Sequence, residues 1–172
     1  MFTIVSTRFN NETWFENQEN RRKRNLGCFY GSPQEMSPKI DYNSPVFVVE
    51  MNNSLNKIEG IGLINNKPEV EKYFRMYTDG NFNRYIYFGT YHINRDSLIE
   101  YNEILVDALD HILFKGYTHS KRGSGFTIIP EKLFKHEVFE DLNVKKEIKN
   151  IFIVHFKERL KNAQNCLENK TN

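Results

Sequence analysis

Residues 45–64, PVFVVEMNNSLNKIEGIGLI, form the stretch that decides the fold of this chain. Two apolar runs rich in β-branched residues, 46–51 and 57–64, are separated by an Asn-Asn-Ser turn signal. The pattern predicts an antiparallel hairpin. Gly60 and Gly62 point to the same side of the second strand. That side is therefore open to a ligand, an aromatic ring or a crossing strand, or it marks a bend in the sheet.

Around this hairpin, the spacing of apolar residues predicts further strands and several helices. Strands are expected at residues 2–6, 84–93 and 126–129. Helices are expected at 12–24, from a cap at Asn94 or Asp96 to Gly116, from Pro130 to about 142, and after a cap at Asn143. In strand 84–93 one face should enter the core. The other face carries tyrosines, which suit either a stacking platform or ordinary packing.

Length and composition predict one folded domain over residues 1–172, and the predicted strands and helices give it an α+β class. The chain is 39% hydrophobic and 14% aromatic, and it is long enough to bury a core. We expect a β-rich part at 1–93, a mainly helical part at 94–167 and a frayed tail at 168–172. The N-terminus lacks a signal-peptide pattern, and no window approaches the roughly 18 apolar residues of a membrane span. These features predict an intracellular protein, cytoplasmic or nuclear and not secreted.

The cysteines and histidines show no metal-ligand pattern. Cys28 and Cys166 are far apart in the sequence, which favours free thiols, with one long-range disulfide as the alternative. The five histidines have no HExxH spacing, and the two cysteines no CxxC spacing. We therefore predict no metal site and no cofactor.

The only tryptophan, Trp14, lies in a polar segment, TWFENQENRRKRN, at residues 13–25. An indole beside amides and guanidinium groups suits an unpaired base, because the ring can stack, an amide can read the base edge and an arginine can hold the phosphate. The alternative is a tryptophan that packs one face of a polar helix.

Basic residues are concentrated in two short runs, although the net charge is only +2. One run is residues 21–24. The other lies within residues 114–130, which contain no acid and include a Gly-Ser-Gly turn at 123–125 whose backbone amides suit an anion. The predicted phosphate contacts are Arg21, Arg22, Arg24, Lys121 and Arg122. For each run, the alternative is a solvated charged surface or a mobile loop.

Residues 2–93 resemble the PUA-like group that includes the EVE and YTH domains. The resemblance rests on Thr13-Trp14 before an Asn/Arg-rich helix, on the strand VFVV at 46–49, and on IEGIGLI at 58–64. An aromatic loop and the basic-aromatic strand 84–87 follow in the same order. The resemblance implies a small, strongly bent β-barrel flanked by helices, with a modified or flipped-out base bound in an aromatic pocket.

On this resemblance, Trp14 forms one wall of the base pocket. YTH pockets use further tryptophans that this chain lacks, so tyrosine and phenylalanine must complete the aromatic cage. Arg22 is implied as a pocket or phosphate contact. The residues implied for the pocket are Trp14, Asn20, Asn25, Tyr73, Phe74, Tyr77 and Tyr87.

These features predict a nucleic-acid-binding reader whose partner is single-stranded RNA or DNA, with or without a modified base. The alternative is a non-catalytic structural or interaction protein, such as a virion or assembly component, that reuses the same fold. An enzyme is not predicted, because no nucleophile with a base and no carboxylate pair stands at motif spacing. Four glutamates are available, and two histidines could serve as a base, but the sequence identifies no partner for any of them. These residues are Glu12, Glu16, Glu50, Glu59, His92 and His119.

Overall fold

A computed structural model describes the backbone of residues 2–168 and the side chains of residues 2–160. The strands are β1 (Thr3–Phe9), β2 (Cys28–Ser32), β3 (Pro45–Asn52), β4 (Lys57–Asn65), β5 (Tyr85–Gly89), β6 (Tyr91–Asn94) and β7 (Thr127–Ile128). The helices are α1 (Asn11–Arg24), α2 (Arg95–Phe114) and α3 (Val144–Glu168). Short 3₁₀ turns lie at Gly80–Asn83, Glu131–Lys135 and Glu137–Phe139. The predicted α+β class is confirmed.

The strands form a five-stranded mixed sheet and a separate two-stranded sheet. The order in the larger sheet is β6-β4-β3-β1-β7, with β1 parallel to β3 and the other pairs antiparallel. The smaller sheet pairs β2 with β5. The predicted hairpin of β3 and β4 is confirmed, with a change of register after Glu50. Over the described residues the strands do not close into the barrel that the resemblance implies.

Both faces of the five-stranded sheet are covered, because alternate side chains of β3 enter two different cores. Phe47, Val49 and Met51 belong to a core shared with α2 and α3. Val46 and Val48 belong to a second core, which includes the side chains of β2 and β5. The double burial explains why this strand is apolar along nearly its whole length.

Strand 84–93, which the sequence predicts as one element, is divided at Thr90. Its first half, β5, pairs with β2, and its second half, β6, pairs with β4, so the chain passes from one sheet to the other. Ile86 and Tyr87 point in opposite directions, yet both are buried. The Tyr87 ring packs on Phe126 with 5.1 Å between centroids. The tyrosine face is therefore not an open stacking platform at Tyr87.

The described part of the C-terminal third contains α2 and α3 but is not helical throughout. The side chain of Asn94 accepts a hydrogen bond from the Ser97 amide and caps α2, and Asn143 accepts from the Lys146 amide at the start of α3. The predicted helix at 130–142 is wrong, since extended backbone at His136 separates two 3₁₀ turns. Residues 169–172 of the predicted frayed tail lie outside the described residues. Within the described part, no helix has the length and apolar character needed to cross a membrane.

Candidate functional site

Trp14 lies on the first turn of α1, beside the end of β1. The helix starts with a capping box, in which Asn10 Oδ1 accepts from the Thr13 amide at 2.8 Å and Thr13 Oγ1 accepts from the Asn10 amide at 3.0 Å. The indole is half-buried and packs edge-to-face on Phe9, with 5.2 Å between ring centroids. Trp14 is therefore partly a packing residue and partly a surface residue.

The amides of α1 hold parts of the protein together. Asn20 Nδ2 donates to the Glu16 carbonyl at 3.1 Å and to the Met76 carbonyl at 2.8 Å. Asn25 ends the helix in the left-handed conformation, with φ 52°. It lies eleven residues beyond Trp14, which is about 16 Å along a helix. The structure therefore does not bring Asn25 and Trp14 into one pocket.

The four other predicted pocket rings are divided between the core and the surface. Tyr77 and Tyr87 are buried, while Tyr73 is exposed. Phe74 packs edge-to-face on Phe88, with 5.1 Å between centroids. Among the described side chains, the ring paired with Trp14 is Phe9 and none of these four. The structure therefore does not assemble the aromatic cage that the resemblance implies.

The predicted phosphate contacts fall at opposite ends of α1. Arg22 and Arg24 are exposed at its C-terminal end, where Arg22 pairs with Glu19 at 3.0 Å. Lys121 lies near the turn between β3 and β4, because its Nζ donates to Asn56 Oδ1 at 2.6 Å. This turn contacts the N-terminal end of α1, where the Asn11 amide donates to Ser54 Oγ at 3.1 Å. The 14 residues of α1 span about 21 Å. The two basic runs are therefore separate patches, and the third arginine of the first run, Arg21, points inward.

A narrow cleft opens at the N-terminal end of α1. Its volume is about 70 Å³, which is room for two or three water molecules. Aromatic rings, polar side chains and a glycine turn all contribute to its lining. The lining residues are Thr7, Arg8, Phe9, Thr13, Gly31, Tyr77, Phe82, Gly123, Ser124 and Gly125. Of the residues predicted from the sequence, Tyr77 and the 123–125 turn meet here.

Arg8 holds the glycine turn in place. Its guanidinium donates to the carbonyls of Ser120 and Gly125, and to Thr127 Oγ1 at 2.8 Å. Burial lowers the pKa of Arg8 from its ordinary value, but a guanidinium stays charged at neutral pH. Gly125 has φ 69°, and a Cβ atom there would overlap Ser32 Oγ. The close approach of this turn to β2 therefore requires glycine.

A second polar site is enclosed between the two sheets and centres on Glu50 of β3. This side chain is completely buried. Its carboxylate accepts a hydrogen bond from the Tyr30 hydroxyl at 2.7 Å and lies 2.9 Å from His92 Nε2. Arg21 Nη1 lies 3.7 Å from the same carboxylate, and Arg21 Nη2 donates to the Gly27 carbonyl at 2.7 Å. We call Glu50, Tyr30, His92 and Arg21 the Glu50 cluster.

Gly60 and Gly62 provide the space for the Glu50 cluster. A Cβ atom on Gly62 would overlap the Tyr30 hydroxyl. One on Gly60 would lie 2.8 Å from His92 Nε2 and 2.9 Å from Glu50 Oε2. The face of β4 that the sequence leaves open is therefore filled by an aromatic ring and polar groups of this chain.

The electrostatics of the Glu50 cluster suit a structural role. Burial acts to raise the pKa of the Glu50 carboxyl, but His92 and Arg21 outweigh it, and the pKa is lowered. Burial and the Glu50 charge raise the pKa of the neighbouring Cys28 thiol to about 12. Such a thiol is protonated at neutral pH and is not a nucleophile. The cluster joins α1 and β2 to the larger sheet.

The candidate site is therefore the cleft beside α1, and Trp14 adjoins it through Phe9. Three lining residues, Arg8, Phe9 and Phe82, are not among those predicted from the sequence. Comparison of the chain with family models, curated proteins and solved structures finds no match.

Proposed function

We propose that this chain is a non-catalytic reader of single-stranded nucleic acid, and that a flipped-out or modified base enters the cleft beside α1. The proposal rests on one observation, which is that aromatic side chains, Arg8 and a glycine turn line the same opening. Half-buried Phe82 supplies ring surface in the closed cleft, and the buried Phe9 ring adds to it when the cleft opens. Base–aromatic stacking tolerates any base. Backbone amides of the turn suit a phosphate oxygen.

Positive charge beside the opening supports a nucleic-acid ligand. Arg122 is exposed and directly precedes the glycine turn, and Lys121 is partly exposed next to it. The surrounding segment, residues 114–130, contains no acid. Phosphate contacts made by these side chains would release counterions, so the affinity should fall as salt concentration rises.

A base needs more room than about 70 Å³, so binding requires the glycine turn to move outward. Residues 122–124 are exposed, so these residues of the turn lose little packing when the turn moves. The turn is held by hydrogen bonds, including those from Arg8 and one from Asn53 Nδ2 to the Lys121 carbonyl at 2.9 Å. The cost of opening is therefore a few hydrogen bonds, each worth about 1 kcal/mol.

Fluorescence anisotropy with short labelled RNA and DNA single strands of mixed sequence tests the proposal. We expect binding at low ionic strength, with log affinity falling linearly as log salt rises. In the double variant Lys121→Gln/Arg122→Gln, the plot of log affinity against log salt should be less steep by about 1.4. This change corresponds to two lost phosphate contacts on a single strand.

The matched control is Arg22→Gln/Arg24→Gln, which removes the same charge from the other end of α1 and should leave the slope unchanged. If the salt dependence weakens equally in both double variants, the assignment of nucleic-acid binding to the cleft is contradicted. The proposal fails if no salt-dependent binding occurs. Oligomer formation without nucleic-acid binding would favour the alternative, a structural or assembly protein.

A further inference from the structure

A groove of about 630 Å³ lies between α3 and the five-stranded sheet. Its floor is made of aromatic rings that pack edge-to-face. Phe47 lies 4.9 Å from Phe152, and Tyr91 lies 4.8 Å from Phe156, between ring centroids. Phe2, just before β1, also lines the groove, whereas the nucleic-acid cleft lies at the other end of this strand. Along β1, Phe2 in the groove and Arg8 in the cleft are six residues apart, which is about 20 Å.

The rim of the groove is positively charged. Lys149, Lys157 and Arg159 line it, and no acid does so among the described side chains. Lys149, Ile153 and Lys157 follow one another at four-residue spacing on α3, so they lie on the same side of the helix. The structure therefore sets an apolar surface beside cations.

We propose that this groove binds a monomeric long-chain carboxylate, with the alkyl chain on the aromatic floor and the carboxylate at the cationic rim. The volume lies within the range of pockets that bury small molecules. Apart from Thr90 and the hydroxyl of Tyr91, the lining between the cations is apolar. Such a lining suits a hydrocarbon chain, because a base or a sugar would lose hydrogen bonds there.

Charge and shape argue against two other occupants. In a symmetric dimer, the groove of one copy would face the groove of the other. Lys149, Lys157 and Arg159 of both copies would then lie close together, and their like charges would repel. A bilayer surface is flat on this scale, whereas the groove is concave and suits one chain. This inference is independent of the proposed nucleic-acid function.

Isothermal titration calorimetry with three ligands of equal chain length tests the inference. The probes are dodecanoate, dodecanol and dodecyltrimethylammonium, each kept as monomers. We expect dodecanoate to bind most tightly and the cationic amphiphile most weakly. The triple variant Lys149→Gln/Lys157→Gln/Arg159→Gln should weaken dodecanoate binding about tenfold and leave dodecanol binding unchanged. Equal affinity for the three head groups, or no binding of dodecanoate, would overturn the inference.

Two neighbouring residues of α3 give a matched pair of variants that should both fold. Ile153 is 41% exposed and lines the groove, while Val154 is 43% exposed and does not. Ile153→Glu should abolish dodecanoate binding, because it places a carboxylate on the apolar surface, and Val154→Glu should bind as the wild type does. Circular dichroism checks that both variants are folded.

Three results with these variants and the wild type would overturn the inference. The first is equal binding by Ile153→Glu and the wild type. The second is a wild-type dimer that Ile153→Glu dissociates in sedimentation experiments, which would assign the groove to a second copy. The third is binding to phosphatidylserine vesicles without binding of free dodecanoate, which would assign it to a membrane surface.

Discussion

Replacing Glu50 by glutamine removes one charge from the Glu50 cluster and leaves its partners in place. Glu50 is completely buried, and the side chain of Arg21, 3.7 Å away, is only 13% exposed. His92 and Tyr30 also lose an ionic acceptor. Removing one partner of a buried ion pair costs about 3 to 5 kcal/mol of unfolding free energy. For a chain of 172 residues, that loss lowers the melting temperature by about 6 to 20 °C.

Equilibrium unfolding in urea, followed by circular dichroism, measures this loss. The matched control is Glu19→Gln, because Glu19 forms its ion pairs with Arg22 and Lys23 on the surface of α1. This control should leave the urea midpoint unchanged. If Glu50→Gln unfolds at the same urea concentration as the wild type, the cluster does not stabilise the packing of the two sheets, and the reasoning is refuted.

The same variant tests the charge of Glu50 through the pH dependence of stability. Burial acts to raise the pKa of the Glu50 carboxyl, but His92, Arg21 and Tyr30 together lower it below its ordinary value of 4.5. A carboxyl with a lowered pKa stabilises the folded state above the unfolded pKa, and this contribution is lost as pH falls through the folded value. The difference in unfolding free energy between the wild type and Glu50→Gln should therefore be largest at neutral pH and shrink below about pH 4.5. A constant difference through the acid range would contradict an ionised Glu50.

Two further predictions concern the neighbours of the cluster. Gly62→Ala should sharply lower the melting temperature, because its Cβ would overlap the Tyr30 hydroxyl, whereas Gly80→Ala, which has open space around it, should not. Equal melting temperatures for the two variants would contradict the packing argument. In a Cys166→Ser background, Cys28 should resist Ellman's reagent until urea unfolds the protein, since burial raises its pKa to about 12. Rapid labelling of the folded protein would show that the thiol is accessible.

Elements with strong local signals are predictable from this sequence, and elements that depend on distant partners are not. The hairpin of β3 and β4 follows from its β-branched runs, and α2 follows from its cap and apolar spacing. The sequence pattern does not indicate the non-helical backbone inside α2 at Asn102. In contrast, β2 contains Gly31 and precedes Pro33, which favour a turn, and it becomes a strand by pairing with β5. That pairing joins Phe29 to Phe88. These residues are far apart in the sequence, and a local pattern gives no signal of such a contact.

The candidate site shows the same division. The glycine spacing in β4 correctly indicates a close approach, but it does not identify Tyr30 as the approaching ring, because this residue comes from another sheet. Likewise, the 123–125 turn is visible as a polar glycine segment. Its position beside Phe9 depends on hydrogen bonds from Arg8 to residues more than one hundred positions away. The aromatic and basic residues in the sequence therefore identify some of the residues that line the cleft, but they do not show how these residues are arranged.

The central claim is that nucleic acid binds at the cleft beside α1, and Trp14 emission tests it most directly. Trp14 is the only tryptophan, and it packs on Phe9, which lines the cleft. Titration with mixed single-stranded RNA at low salt should quench this emission with the same affinity as anisotropy gives. Dodecanoate, whose groove lies about 20 Å away, should leave the emission unchanged. RNA binding that does not alter Trp14 emission, or no RNA binding at all, would contradict the claim.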